Sequence, residues 1–444
     1  MKSFLDLFRG ANGKNHAITF ALVSTLFFLW GFCNGMIDVL NRHFQNSLNV
    51  SKAASGFVQF ANFIGYFFMA IPSGLLARRF GYKGGILIGL ALIAGGASWF
   101  IPATAIGTFT AFLTGLFILA AGLAVLETIA NPYTTVLGPP VMGATRINLA
   151  QTCNALGTFL GPLVAGTFTL SSTGEANKSN STLFIPYLII AALVVVLIVL
   201  FWKSDLPDLQ GDDESAVTTP GQADSTRPLI ERWHFTLAVG AQFFYVAAQI
   251  GIWAYFINYL RSPEMPDVPA WLSKALPAGW TYPVTTGNYH VTDLGASKAF
   301  AGGILCFLAG RLTGSMLLRV SSAHRTLAVY GLINSVLMAV IIVHVGWLSV
   351  AALFLCNFFM SIMYPTIFAL GIRGLGAHTK LGSSLIVMAI VGGAIMPLLM
   401  GWLADTFSMR MAFAMPLFCF AYVMLYAAFW PKLEQIDAGH PVAD

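Results

Sequence analysis

The chain has 444 residues, of which 57% are hydrophobic and only 9% charged, with 36 Phe and a net charge of +5. Soluble domains carry about 25% charged residues, so a water-soluble globular protein is excluded and lipid must be the solvent for most of this one. The small positive balance is spread over loops and gives no footing for nucleic acid.

A hydrocarbon core of about 30 Å takes about 20 apolar residues per helix, and the chain holds twelve such runs. In order they cover 17–39, 55–77, 84–103, 108–137, 147–170, 184–202, 233–260, 296–319, 325–345, 349–372, 381–404 and 409–430. An all-α membrane protein is the expected fold class. Twelve spans put both termini on one side, and basic residues choose the side. Lys2, Arg9, Lys14, Arg78, Arg79, Lys83, Arg146, Lys203, Arg227, Arg232, Arg319, Arg325, Arg373, Lys380 and Lys432 lie on the face of the termini. They outnumber Arg42, Lys52, Lys178, Arg261, Lys274, Lys298 and Arg410 on the other. Cytoplasmic termini follow.

The first span reads FFLWGFCNGMIDVLNRHF and carries Asn34 and Asp38; the fourth reads AGLAVLETIANPYTTVLG and carries Glu127 and Asn131. A charged carboxylate at mid-membrane costs at least ~2.5–3.5 kcal/mol. A buried carboxyl group holds its proton more tightly, which suits a relay that loads and releases protons near neutral pH. The competing reading is a protonated carboxyl acting as structural glue to a neighbouring helix. Span five opens INLAQTCNALG, with Gln151 and Asn154 three apart on one face. The polar stretch KSDLPDLQGDDESAVTTPGQADSTRPLIERWH then reads as a flexible linker. It divides the chain into a first six-helix bundle at 1–203, a linker at 204–231 and a second bundle at 232–444.

Span seven places Gln242, Tyr245, Gln249 and Trp253 at intervals of three and four, and span ten does the same with Asn357, Ser361 and Tyr364. Amides, phenols and an indole offer hydrogen bonds to hydroxyls and flat faces to C–H surfaces, a combination that suits a neutral polyol such as a sugar. An anionic substrate would want basic residues within the spans, and only Arg311 is one; it calls for an acidic partner. An insert near 262–295, before span eight, reads as a short interfacial helix with loops on the outer side. Pro72, Pro132, Pro162, Pro365 and Pro397 are expected to kink or end their spans. Cys33, Cys153, Cys306, Cys356 and Cys419 show no metal or redox spacing, and neither metal nor cofactor is expected.

The halves echo each other: LGTFLGPLVAG with VGGAIMPLLMG, NPYTTVLG with YPTIFALG, and FFLWGFCNG with FFYVAAQIG, in the same order. Duplicated six-helix halves resemble the arrangement of the major facilitator superfamily. In it the substrate site lies at the repeat interface near the bilayer midplane. More specifically, LFFLWGFCNGMIDVL, AAGLAVLETIANPYTTVLGP, RINLAQTCNALG, AQFFYVAAQ and FMSIMYPTIFALGIRGLGAHTKLGSSLIVMAIVGG resemble the fucose–galactose–glucose/proton symporter family.

That resemblance implies two pseudo-symmetric six-helix bundles and proton-coupled symport of a monosaccharide by alternating access. It assigns the essential carboxylates to Asp38 and Glu127 and cavity roles to Gln151 and Asn154. With the polar faces, the expected substrate contacts are Asp38, Asn34, Gln151, Asn154, Gln242, Gln249, Trp253, Asn357 and Tyr364. GLLARRFGYKGG resembles the superfamily's basic loop and is expected to hold conformations closed from inside. The expected working unit is a monomer whose partners are the monosaccharide, protons and the lipid bilayer. A sodium-coupled or uniport sugar transporter, or a drug/proton antiporter, shares the fold without this coupling or cargo. An integral membrane enzyme is the alternative of another class and would need clustered nucleophiles or metal ligands, which the spans do not present.

Overall fold

The computed structural model describes residues 7–9, 14–47, 52–169, 184–204, 206, 228–262, 265, 267–285 and 288–437. Most of the linker and the side chain of Asp38 lie outside what is described. Among the described residues fifteen α-helices carry the fold. They are α1 (Ala17–Ser47), α2 (Lys52–Ile106), α3 (Phe109–Val136), α4 (Gly143–Thr169), α5 (Phe184–Lys203) and α6 (Trp233–Leu260). There follow α7 (Ala270–Ala275), α8 (Asp293–Leu317), α9 (Ala323–Val343), α10 (Trp347–Met360) and α11 (Met363–Gly371). The last are α12 (Thr379–Met388), α13 (Gly392–Thr406), α14 (Met409–Ala412) and α15 (Ala414–Asp437).

Among the described residues nine helical segments are long and apolar enough to cross a membrane. One of them, Ala61–Ile106, is two spans joined at Gly81, whose φ of 70° and ψ of −176° interrupt the helix. L-residues with a side chain rarely adopt that conformation. With α4 and the shorter α5 as spans five and six, the twelve runs of the sequence are accounted for. Their outward faces are apolar: Val195, Val196, Val199 and Leu200 on α5, Leu398 and Trp402 on α13, and Phe418, Leu425 and Phe429 on α15 are exposed. A row of exposed aliphatic and aromatic side chains of this length has lipid as its natural solvent.

By contact the chain divides into two compact units. The first comprises Met1–Val239, Phe368–Val391 and Lys432–Asp444; the second comprises Gly240–Ile367 and Gly392–Pro431. The first unit takes in α12, from the second half of the sequence, because α12 packs against α2 and α3. At Gly74 of α2 an added Cβ would lie 2.0 Å from Ser384 Oγ and 2.9 Å from the Lys380 carbonyl, so this approach admits only glycine. The buried Lys380 ammonium sits 4.9 Å from the ring centre of Tyr82, a cation–π contact beside it. The basic loop therefore has divided duties. Gly74 and Tyr82 meet α12, whereas Lys83 donates to the carbonyls of Trp202 (2.8 Å) and Ser204 (2.7 Å) and so caps the end of α5.

Within the first unit the segment around Leu7 and Phe8 is buried and tied down by Arg146. That guanidinium donates to the carbonyls of Leu7 (3.0 Å), Thr134 (3.0 Å), Gly138 (3.1 Å) and Thr135. Asp437, at the end of α15, accepts from the backbone N–H groups of Trp233 (3.0 Å) and His234 (2.8 Å) and so caps the start of α6. The same carboxylate lies 2.6 Å from His234 Nδ1.

The insert before α8 departs from the expectation of a short helix and loops. Besides α7 it forms an antiparallel sheet of β1 (Val268–Pro269), β2 (Thr281–Thr285) and β3 (Asn288–Val291), in the order β1-β3-β2. Its prolines hid the strands. Pro269 and Pro283 sit on the two edge strands, where a missing N–H costs no interior ladder bond, while the central strand has no proline.

Helices α1 and α4 touch backbone to backbone. A Cβ on Gly31 would stand 1.9 Å from the Asn154 carbonyl oxygen, and one on Gly157 would stand 2.3 Å from that of Phe28. Replacing Gly31 with Ala should force the two helices apart at a cost of about 1–3 kcal/mol. The expected readout is a melting temperature in detergent several degrees below wild type; an unchanged melting temperature would contradict the close approach.

Candidate functional site

Two polar clusters lie inside the apolar helices, one in each unit. The first begins with Glu127, 3% exposed near the middle of α3. Pro132 lies five residues on, and with no N–H it leaves the Thr128 carbonyl without its helical donor. The irregularity thus falls beside the carboxyl group. Asn131, on the same helix, accepts from Gln151 Nε2 of α4 at 3.4 Å. One turn further along α4, Asn154 Nδ2 donates to the Phe27 carbonyl of α1 at 3.3 Å. The glycine contact between α1 and α4 sets that distance.

Two residues that the sequence reading left out complete this cluster. Tyr66 of α2 is buried, and its hydroxyl accepts a hydrogen bond from the indole N–H of Trp30 on α1. The same hydroxyl is hydrogen-bonded to the Asn34 side chain and lies close enough to Glu127 to feel its charge. A signal existed: Asn62 and Tyr66 sit four apart in NFIGYFF, a polar pair on one face of an otherwise apolar run. The structure thus brings Asn34, Glu127, Gln151 and Asn154 into one neighbourhood with Trp30, Tyr66 and Asn131.

The second cluster joins α6, α8, α10 and α11. Trp253 Nε1 donates to Asn357 Oδ1 at 2.9 Å, and Asn357 Nδ2 donates back to the Leu353 carbonyl at 2.9 Å, which fixes the amide's orientation. Trp253 also stands edge-on to Phe307, ring centres 5.5 Å apart. Tyr245 and Tyr364 approach to 6.4 Å between ring centres. Gln242 is fully buried, and its amide and the Tyr245 hydroxyl meet no hydrogen-bond partner among the described residues. Gln249 is half-buried on α6, between Tyr245 and Trp253.

Span ten is broken in the middle of this cluster: α10 ends at Met360 and α11 starts at Met363. Pro365 explains the break. It has no N–H to offer the carbonyl four residues back, which is that of Ser361. Arg311 of α8 fills the gap, its Nε donating to the Ser361 carbonyl at 2.8 Å while its guanidinium lies 4.6 Å from the ring centre of Phe307. Among the described contacts of Arg311 are this backbone carbonyl and aromatic face, with Tyr245 and Tyr364 nearby.

Comparison with known proteins places the chain in a family. The family model for the Major Facilitator Superfamily matches residues 20–390. The L-fucose-proton symporter of Escherichia coli is 37% identical over 434 residues, which cover 94% of each chain. The glucose/galactose transporter of Brucella abortus is 34% identical over 421 residues, covering 94% of this chain and 95% of that one. The crystal structure of the E. coli fucose:proton symporter superimposes with a TM-score of 0.79 at 36% identity, over 94% of this chain and 99% of the other.

The pairing of Arg311 with Pro365 can be tested directly. Arg311→Met leaves the Ser361 carbonyl buried without this donor and should cost about 1–3 kcal/mol, read as a lower melting temperature. Pro365→Ala supplies an N–H to the same carbonyl and should recover part of that loss in the double variant. Additive losses would show that the two residues serve different carbonyls.

Proposed function

The chain belongs to the major facilitator superfamily, and from this we propose that it is a secondary active transporter that carries a monosaccharide of the fucose, galactose or glucose type together with protons. Glu127 carries the reading. It is a carboxyl group held in an apolar span, beside a phenol and within a belt of amides. A proton bound there is carried when the protein changes the side to which its site opens. Asp38, one turn beyond Asn34 on α1, contacts sugar hydroxyls or passes protons to Glu127. Asn34, Gln151 and Asn154 in the first cluster, and Gln242, Gln249, Trp253, Asn357 and Tyr364 in the second, supply hydrogen bonds and ring faces to the sugar. The buried Gln242 amide and Tyr245 hydroxyl support this, since polar groups in such surroundings gain most from a hydroxyl-bearing guest.

The two sequence halves, 1–203 and 232–444, act as the moving bundles, joined by the linker at 204–231. Gly74, Ser384, Lys380 and Tyr82 form a contact that belongs to one of the alternating states and separates in the other. The protein works as a monomer in a bacterial inner membrane, with both termini in the cytoplasm. One charge moving inward across 100 mV yields about 2.3 kcal/mol, enough for about fiftyfold accumulation of sugar.

Glu127→Gln keeps the shape of the side chain and removes its titration. In proteoliposomes with an imposed pH gradient and a panel of L-fucose, D-galactose, D-glucose, D-mannose and D-fructose, the variant should exchange sugar across the membrane. It should no longer accumulate sugar, the gradient falling from tens-fold to equality. Sugar-induced alkalinisation of the medium should also disappear. Accumulation that survived the change would reject the assignment, and a wild-type signal that required sodium would reject proton coupling.

A further inference from the structure

We propose that the insert before α8, together with the ends of α6 and α10, forms a second sugar site: a capture cleft for a neutral pyranose on its way to the Trp253–Asn357 cluster. The inference rests on the reading of the protein as a sugar carrier and adds a site to it.

The cleft lies wholly within the second unit. Seven spans precede the insert, so it stands on the side opposite the amino terminus, the entry side in the proposed topology. Tyr282 and His290 come from the sheet, Arg261 and Ser262 follow the last residue of α6, and Trp347 opens α10, with aliphatic side chains between them. Strand register builds one wall. Tyr282 of β2 is the direct partner of His290 of β3, so both side chains leave the same face of the sheet. Their rings stand edge-on with centres 6.0 Å apart. Asp267, just ahead of β1, lies 2.8 Å from His290 Nε2. An ionised carboxylate only accepts, so Nε2 donates to it, which fixes the ring and leaves Nδ1 for another partner. A hydroxyl both donates and accepts, and so meets Nδ1 in either protonation state.

The chemistry of the lining selects the guest. Tyr282 and Trp347 are 42% and 40% exposed, large flat rings held at the water and not in the core. Such rings cover the C–H faces of a pyranose, while Arg261, Ser262 and His290 supply hydrogen bonds to its hydroxyls. Arg261 in the lining and Asp267 bonded to His290 are opposite in sign, which favours a neutral guest over an ion. The same two helices lead inward. Trp253 lies eight residues before Arg261 along α6, about 12 Å, and Asn357 lies ten residues after Trp347 along α10, about 15 Å. Sugar held in the cleft is thus concentrated at the mouth of the path to the bond between Trp253 and Asn357. A site of this kind speeds loading when sugar is scarce and leaves the final gradient, which the driving force sets, unchanged.

The test has two arms. For occupancy, Ser262→Cys is labelled with a membrane-impermeant maleimide, and the protein without the introduced thiol gives the background from the native cysteines. L-fucose, D-galactose or D-glucose should slow the labelling several-fold, and equimolar betaine should not. The protection should persist when Trp253→Ala is added to disable the deeper cluster. Labelling that no sugar slows overturns the inference, and so does protection that vanishes with Trp253→Ala, since it would then report a movement begun elsewhere.

For transport, Tyr282→Ala and Trp347→Ala are assayed in proteoliposomes with an imposed pH gradient. Uptake at low sugar should fall about three- to tenfold while uptake at saturating sugar stays within about twofold. Steady-state accumulation should match wild type. Uptake unchanged at every sugar concentration would mean that the rings only anchor the insert at the membrane surface, and it would overturn the inference, as would an equal fall at low and saturating sugar. If neither variant folds, the labelling arm decides. A wild-type protein that carries none of the three sugars would sink the underlying reading; a wild type that carries sugar, with variants indistinguishable from it, would sink the cleft alone.

Discussion

Hydrocarbon offers no hydrogen bonds, and that one constraint accounts for most of what the interior of this protein looks like. Each polar group carried into the membrane must bring or find a partner, so polar residues collect where helices touch. Arg146 shows the rule at the end of a span: four carbonyls, including that of Leu7 in the amino-terminal segment, converge on its guanidinium. Arg311 shows it at a helix break, where a proline removes a donor and an arginine side chain from the next helix replaces it. Trp253 and Asn357 show it in the wall of the second cluster, each fixing the other's orientation. A group with a fixed direction costs no reorganisation when a substrate arrives, which is how a polar lining becomes a recognition surface.

Close packing supplies the other half of the design. Small residues at helix contacts let backbones approach and hold side chains in register. The contact of Gly31 with the Asn154 carbonyl is a clear case, since it sets where the Asn154 amide sits relative to α1. At Gly74 the same device joins α2 to α12, two helices from different halves of the sequence. The contact-based units cut across the sequence halves there, because a helix can belong to one repeat by ancestry and pack with the other.

The sequence made visible whatever depends on residues close together along the chain. Helix lengths, the spacing of Gln242, Tyr245, Gln249 and Trp253 on one face, and the carboxyl of Glu127 in an apolar run all follow from counting along a single helix. What it hid depends on which helix stands next to which. Tyr66 and Trp30 are 36 positions apart, and nothing in either run alone announces their bond. Lys83 reads as one more base in a basic loop until the carbonyls of Trp202 and Ser204 are seen beside it. The insert's strands were masked for a different reason: proline counts against a strand unless the strand is at an edge, and edge position is a property of the sheet.

The duplicated halves show where symmetry was given up. Aligned through NPYTTVLG and YPTIFALG, Pro132 corresponds to Pro365, Thr128 to Ser361 and Glu127 to Met360. Both halves keep the proline that frees a carbonyl at the same place, yet only the first places a carboxyl group beside it. The second half places an apolar methionine there and lets the helix break fully, with Arg311 taking up the carbonyl. A carboxyl group at position 360 would lie on the residue just before Ser361, next to the fixed positive charge of Arg311. A carboxylate beside an arginine resists protonation, so it would make a poor second proton carrier. The first half thus sets a carboxyl group beside its proline, and the second sets an arginine at the matching break.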